Sequence, residues 1–206
     1  NRLYDDFYYH RHNAFWQEQA MQKLPAVTEC TAMLPCAEDL GMVPASVGET
    51  LEKLQILSLE IQRMPKHYGV RFDDTSQNPY LSVATIATHD MAPLRLWWKE
   101  SGEAAVFWHD VLHHEGPAPE EAGPEVCEEV IRMHLESPSM LCLISLQDWL
   151  ATDARLRHPD PREEQINHPD NPQQYWRYRM HLTLEELAGS TGFNEKIRSL
   201  IALSGR

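Results

Sequence analysis

The sequence predicts an α/β fold, and within that class the C-terminal half of a (β/α)8 TIM barrel with additional helices. Three observations predict it. Short apolar runs alternate with segments of helical periodicity, the pattern of a parallel sheet. The runs are continuous rather than alternating, as strands covered on both faces are. Only about four of them occur, and a complete eight-unit barrel needs about 250 residues or more, against the 206 present.

Each element has a local reason. From Leu3 to about Leu24 the chain reads as a helix rich in aromatics, with Tyr4, Phe7 and Tyr8 at helical spacing. Such a stripe is expected to pack, and Pro25 is expected to end the helix. The first apolar run is Thr31–Ala37. Pro44 then suits the first position of a helix in which Val47, Leu51 and Leu54 recur. The second run is Ile56–Ile61, followed by an aperiodic stretch from Arg63 to Tyr80 that contains Pro65, Gly69 and Pro79. A loop that long usually has a job. The third run, Leu81–Ala87, leads into Thr88-His89-Asp90, and Pro93 opens another helix.

Helical segments are expected around Glu103–His114 and Pro124–Glu136, and a fourth strand at Met140–Leu146. The proline-rich stretch from His158 to Pro172 reads as ordered but irregular. In the helical tail, Thr183 and Glu186 have capping-box spacing, and Asn194 can cap the last helix.

Charge and cysteine usage narrow the class of partner. Thirty-one acidic and 18 basic residues give a net charge of −13. Nucleic acid is an unsuitable partner, because polyphosphate binding needs clustered Lys and Arg. An anionic membrane surface is equally unsuitable. The longest apolar stretch, Met140–Ile144, is far too short to span a bilayer. Four scattered cysteines (Cys30, Cys36, Cys127, Cys142) form no CxxC pair and read as free thiols of a cytoplasmic protein. His109 and His113 stand four apart, as metal ligands on one helix face do, or as a solvated face does.

In a barrel of this kind the reacting groups lie at the carboxyl ends of strands. Two polar clusters occupy that position, Glu38-Asp39 after the first run and His89-Asp90 after the third. Alone, the first pair can simply cap a helix, and the second can be a structural hydrogen bond. On one rim, they suggest carboxylate chemistry on a neutral polar substrate.

Longer stretches carry a specific resemblance. Cys36-Ala-Glu-Asp-Leu-Gly-Met-Val-Pro44, Leu59-Glu-Ile-Gln-Arg-Met-Pro65 and Ser82-Val-Ala-Thr-Ile-Ala-Thr-His-Asp-Met91 resemble the 4-alpha-glucanotransferases, the amylomaltase or disproportionating-enzyme family. So do Ser137-Pro-Ser-Met140, Leu146-Gln-Asp148, Gln165-Ile-Asn-His-Pro169 and Tyr175-Trp-Arg-Tyr-Arg-Met-His-Leu182. The similarity covers essentially the whole chain. It leans towards the longer enzymes, the plant cytosolic type and its gut-bacterial relatives.

The resemblance implies a retaining transglycosylase. A carboxylate attacks the anomeric carbon of an α-1,4-glucan, and the 4-hydroxyl of another sugar takes the segment from the glucosyl-enzyme. Two carboxyls about 5–5.5 Å apart are needed, one serving as acid and then base. By resemblance, the acid/base is Glu38, and Asp90 stabilises the oxocarbenium-like transition state. His89, Asp39 and Asn167 fall on sugar-contacting positions. Trp97 and Trp98 suit sugar stacking or, on a helix, the core. The implied partners are maltooligosaccharides and starch- or glycogen-type glucans, and no metal or cofactor is implied.

Two departures accompany the match. Ala37 stands where the family has Gly before its acid/base. The family's nucleophilic Asp sits in an Arg-x-Asp segment upstream, and nothing in residues 1–37 matches it. Residues 1–206 are therefore expected to be the C-terminal portion of a longer catalytic domain, inactive alone and stable only with the missing N-terminal half of the barrel. The first methionine is Met21, which suits that expectation. A related α-glucan hydrolase and a non-catalytic glucan-binding remnant are the alternatives.

Overall fold

A computed structural model describes residues 2–38, 43–67 and 69–206. The chain divides into two compact units, one of residues up to Glu60 with Pro79–Val83 and Ser139–Leu141, the other of Ile61–Asn78, Ala84–Pro138 and Cys142–Arg206.

The first unit begins with helices α1 (Arg2–Asp5) and α2 (His12–Glu29), joined by a π-helical stretch, Asp6–Arg11. Pro25 does not end α2, which runs on to Glu29. A proline removes one intrahelical donor, which is costly but does not stop the residues after it from bonding backwards. The aromatic stripe is exposed rather than packed: Tyr4, Phe7, Tyr9 and Phe15 are all at least half exposed. Helix α3 (Val47–Leu54) packs Val47 and Leu51, together with Ile56, against Trp16 and Leu24 of α2. Its end is a Schellman motif, with Ile56 N–H donating to Leu51 O (2.9 Å) and Gln55 N–H to Glu52 O (3.1 Å). Gln55 occupies the left-handed position at φ 55°.

The expected first strand is a correction. Around Cys36 there is only an isolated parallel bridge to Leu57, with Leu57 N–H donating to Pro35 O (3.0 Å) and Ala37 N–H to Leu57 O (2.8 Å). Pro35 has no N–H to extend the pairing. The other three expected strands exist, and β1 (Ser58–Ile61), β2 (Ser82–Thr85) and β3 (Leu141–Cys142) form a small parallel sheet in that order. Every residue of β2 is buried, as its continuous apolar run requires. The fourth apolar run is shorter as a strand than its composition implies, because Ser145 caps helix α7 (Leu146–Leu150) by accepting from Asp148 N–H.

The second unit is built on α4 (Leu94–Glu100), α5 (Ala104–Asp110), α6 (Pro124–Leu135), α7 and the tail helices α8 (Leu184–Gly189) and α9 (Thr191–Leu203). Its core joins Ile86, Leu94, Trp98, Phe107, Val130 and Ile131, among others. Trp97, Trp98 and Phe72 meet Phe107 edge-on, an arrangement aromatic rings favour. Trp98 is buried and donates its indole N–H to Pro119 O (2.9 Å), so these tryptophans are core.

Helix α5 stops four residues before the expected end at His114, and His113 beyond it has φ 57°. His109 and His113 therefore share no helix face. The long loop after β1 contains a short 3-10 turn, Thr75–Gln77, capped by Asp74. The capping box of Thr183 and Glu186 is present at α8. Asn194 does not cap α9, whose N-cap is Ser190. Instead its amide donates to Leu187 O (3.0 Å) and Ala188 O (3.2 Å), closing the carboxyl end of α8. No helix among the described residues is long and apolar enough to cross a membrane.

Candidate active site

The site residues expected from the sequence fall in both units. In the first, the bond from Ala37 N–H to Leu57 O holds the backbone just before Glu38. Glu38 is thus placed at the carboxyl side of a parallel pairing, and it is exposed. It lines an apolar groove with Trp16, Leu24, Pro44, Val47 and Leu51. Asp39 lies outside the described residues.

In the second unit, three predicted residues come together. The chain leaves β2 and enters a tight turn in which Met91 N–H donates to Thr88 O (3.2 Å) and Asp90 N–H to the Thr88 hydroxyl (3.3 Å). Such Ser/Thr turns fix a loop locally. The turn presents His89 and Asp90, both about half exposed at their side chains. Asn167, only 5% exposed, donates from Nδ2 to Asp90 Oδ1 (2.5 Å). His89 Nε2 lies 3.4 Å from Asp90 Oδ2. A carboxylate held through one oxygen by a buried amide, with its other oxygen near an imidazole, is oriented yet open to solvent. It can accept from the hydroxyl groups of a ligand and offer negative charge to a developing cation.

Asn167 is itself braced. Gln165 donates from Nε2 to Asn167 O (2.9 Å), and Gln174 donates to Ile166 O (3.1 Å). The stretch before it is pinned by an enclosed ion pair, Arg95 Nη1 to Glu164 Oε1 at 3.0 Å, with Arg95 also donating to His158 O (2.8 Å). Burial pushes the Glu164 carboxyl upward, and Arg95 opposes it. Asp148 on α7, fully buried, accepts from Leu94 N–H (2.9 Å), the first amide of α4. Its carboxyl is also pushed up by burial, against the hydrogen bonds and the field of Arg63.

Two residues near the site did not stand out in the sequence. Trp176 is exposed and meets the His89 ring edge-on, centroids 5.5 Å apart. Arg63 reaches the backbone on either side of the His89–Asp90 turn. Arg63 carried no advance sign beyond its place in the matching motif Leu59–Pro65. Trp176 carried none beyond its place in a matching motif. Among the described residues no group of three or more His, Cys, Asp or Glu side chains could hold a metal ion.

Known proteins are similar to this chain in sequence and in fold. Residues 1–184 match the Glyco_hydro_77 family, described as 4-alpha-glucanotransferase. The chain is similar to the 4-alpha-glucanotransferase DPE2 of Oryza sativa subsp. japonica, with 36% identity over 206 residues, all of this chain and 22% of that protein. Similarity to the 4-alpha-glucanotransferase of Chlamydia pneumoniae is 30% over 188 residues, 89% of this chain and 35% of the relative. Among solved structures, the amylomaltase from Streptococcus agalactiae in complex with acarbose matches with a TM-score of 0.64 at 19% identity, over 89% of this chain and 34% of that one. The chain belongs to the 4-alpha-glucanotransferase family, and it spans between about a fifth and a third of the length of these relatives.

Proposed function

We propose that the protein carrying this chain is a 4-alpha-glucanotransferase, moving α-1,4-glucan segments between maltooligosaccharides or starch- and glycogen-type glucans by retaining double displacement. The observation that carries this reading is Asp90, oriented after β2 by the buried Asn167 and flanked by His89, in a chain of this family. Asp90 would stabilise the oxocarbenium-like transition state. Glu38 would protonate the leaving glycosidic oxygen and then activate the acceptor hydroxyl. His89, Asn167 and Asp39 would contact sugar hydroxyls.

On the same reading the chain is the C-terminal part of a (β/α)8 barrel, and the nucleophile lies upstream, in the part of the protein for which the relatives' greater length leaves room. The chain alone is then inactive. The protein would act in the cytoplasm without nucleic acid or membrane partners. Incubating the full protein with maltotriose tests the reading: disproportionation to glucose and longer oligosaccharides is expected. Glu38→Gln should lower turnover by about 10³-fold, within the usual contribution of a single acid/base to the rate, while leaving thermal unfolding unchanged. Near-wild-type turnover of that variant would remove Glu38 from the mechanism.

A further inference from the structure

Arg63 follows β1 by two residues, and its guanidinium reaches the turn that carries His89 and Asp90. Nε and Nη2 donate to Ile86 O at 3.2 and 3.0 Å, and Nη2 donates also to Ala92 O at 3.0 Å. Those two carbonyls flank the five residues Ala87–Met91 on both sides. The same guanidinium lies over the Trp97 indole, 4.9 Å from its centroid, and Trp97 is fixed in turn against Phe72 and Phe107. One planar group thus ties both ends of the turn to the packed core.

The turn's own bonds are short-range. Besides the two closed by Thr88, the Thr85 hydroxyl donates to Ala87 O (3.0 Å). None of these holds one end of the turn to the other. A buried cation is expensive unless its hydrogen-bonding capacity is used. Burial lowers the Arg63 pKa to about 10, opposed by the fields of Asp148 and Glu103, so the side chain stays charged at ordinary pH. Its Nη1 is enclosed with no partner. An apolar residue would fill this space at less cost; what Arg63 adds is a rigid fork reaching two carbonyls at once, which a lysine ammonium cannot reproduce.

We propose that Arg63 is a positioning residue: by bridging Ile86 O and Ala92 O it holds the His89–Asp90 turn in the geometry that turnover requires. The proposal rests on the reading of Asp90 given above. Its test compares Arg63→Lys and Arg63→Gln with the wild type in the full protein, by amide hydrogen exchange and by steady-state disproportionation of maltotriose.

Exchange at residues 87–92 is expected to rise by about tenfold or more, while the amides of α6 keep their protection. Turnover should fall about 10- to 100-fold with KM nearly constant, the scale of a catalytic group displaced by about an ångström. Unchanged exchange at 87–92 overturns the proposal even if turnover falls. Loss of protection throughout the second unit in both variants also overturns it, because Arg63 is then simply structural. A wild-type protein that transfers no glucan overturns the transferase reading instead, and exchange at 87–92 still decides whether the bridge exists.

Discussion

Asn167 spends a buried amide on a single carboxylate oxygen. Hydrogen bonds to charged groups contribute about 1.5–3 kcal/mol, enough to fix which way the Asp90 carboxylate points. Replacing Asn167 by Asp puts like charges where the donor stood, 2.5 Å from Asp90 Oδ1. The proposed transfer should then slow by about 10- to 100-fold at neutral pH, the rate equivalent of that energy. It should recover partly as acidification protonates one of the pair. The pH–rate profiles of wild type and Asn167→Asp, taken together, check this.

His89 and Asp90 stood out in the sequence as a polar pair directly after an apolar run, whereas Asn167 was singled out only by the resemblance to the family. The hydrogen bond joining Asn167 to Asp90 was not legible, since 77 residues separate Asp90 from Asn167 and no periodicity links a turn to an irregular segment. Arg63 stood within a matching motif, but its role at the turn was illegible for a related reason. Its partners are backbone carbonyls, and a carbonyl leaves no trace in side-chain identity.

Among the elements, α6 carries a buried histidine. His134 is 1% exposed, its Nδ1 lies 2.8 Å from Val130 O, and its Nε2 has no partner. Burial, with Arg63 adding to it and the Val130 bond opposing, lowers the imidazole pKa from 6.5 to about 4. The unfolded chain therefore binds a proton in the window from 6.5 down to about 4 that the folded chain refuses. Folding stability falls as the pH drops through that window and levels off below it, by about 3 kcal/mol in all. Asp148 and Glu164 act in the opposite sense. Their carboxyl pKa values are raised by burial, so the folded form holds their protons more tightly and gains from acid. The histidine contribution is isolated by difference: His134→Leu should flatten the dependence of chemical-denaturation stability between pH 7 and pH 4. An unchanged slope would relocate the acid sensitivity elsewhere.

Element existence was more legible than element extent. Helix α6 matches its expected span because Pro124 suits the first turn and the apolar spacing persists to Leu135. The first apolar run failed as a strand because Pro35 interrupts its donors. Asn194 suits a cap by residue type alone, and its amide found the carbonyls of α8 instead.

At the scale of the whole molecule, the α/β class was visible in the alternation of apolar runs and helical periods, and the similarity to amylomaltase structures supports the same fold. The exposed aromatics at the start of the chain were not foreseen. Helical spacing says that Tyr4, Phe7 and Tyr8 share a face, not that anything among the described residues covers it.

The intact protein is proposed to transfer glucan segments to sugar acceptors. Supplying the full protein with maltotriose and isotopically labelled glucose tests it most directly. Label is expected at the reducing ends of maltooligosaccharides, joined by α-1,4 bonds, with a glucan transferred for nearly every bond broken. Release of reducing sugar with no label entering longer chains would contradict the transferase reading and leave a hydrolase.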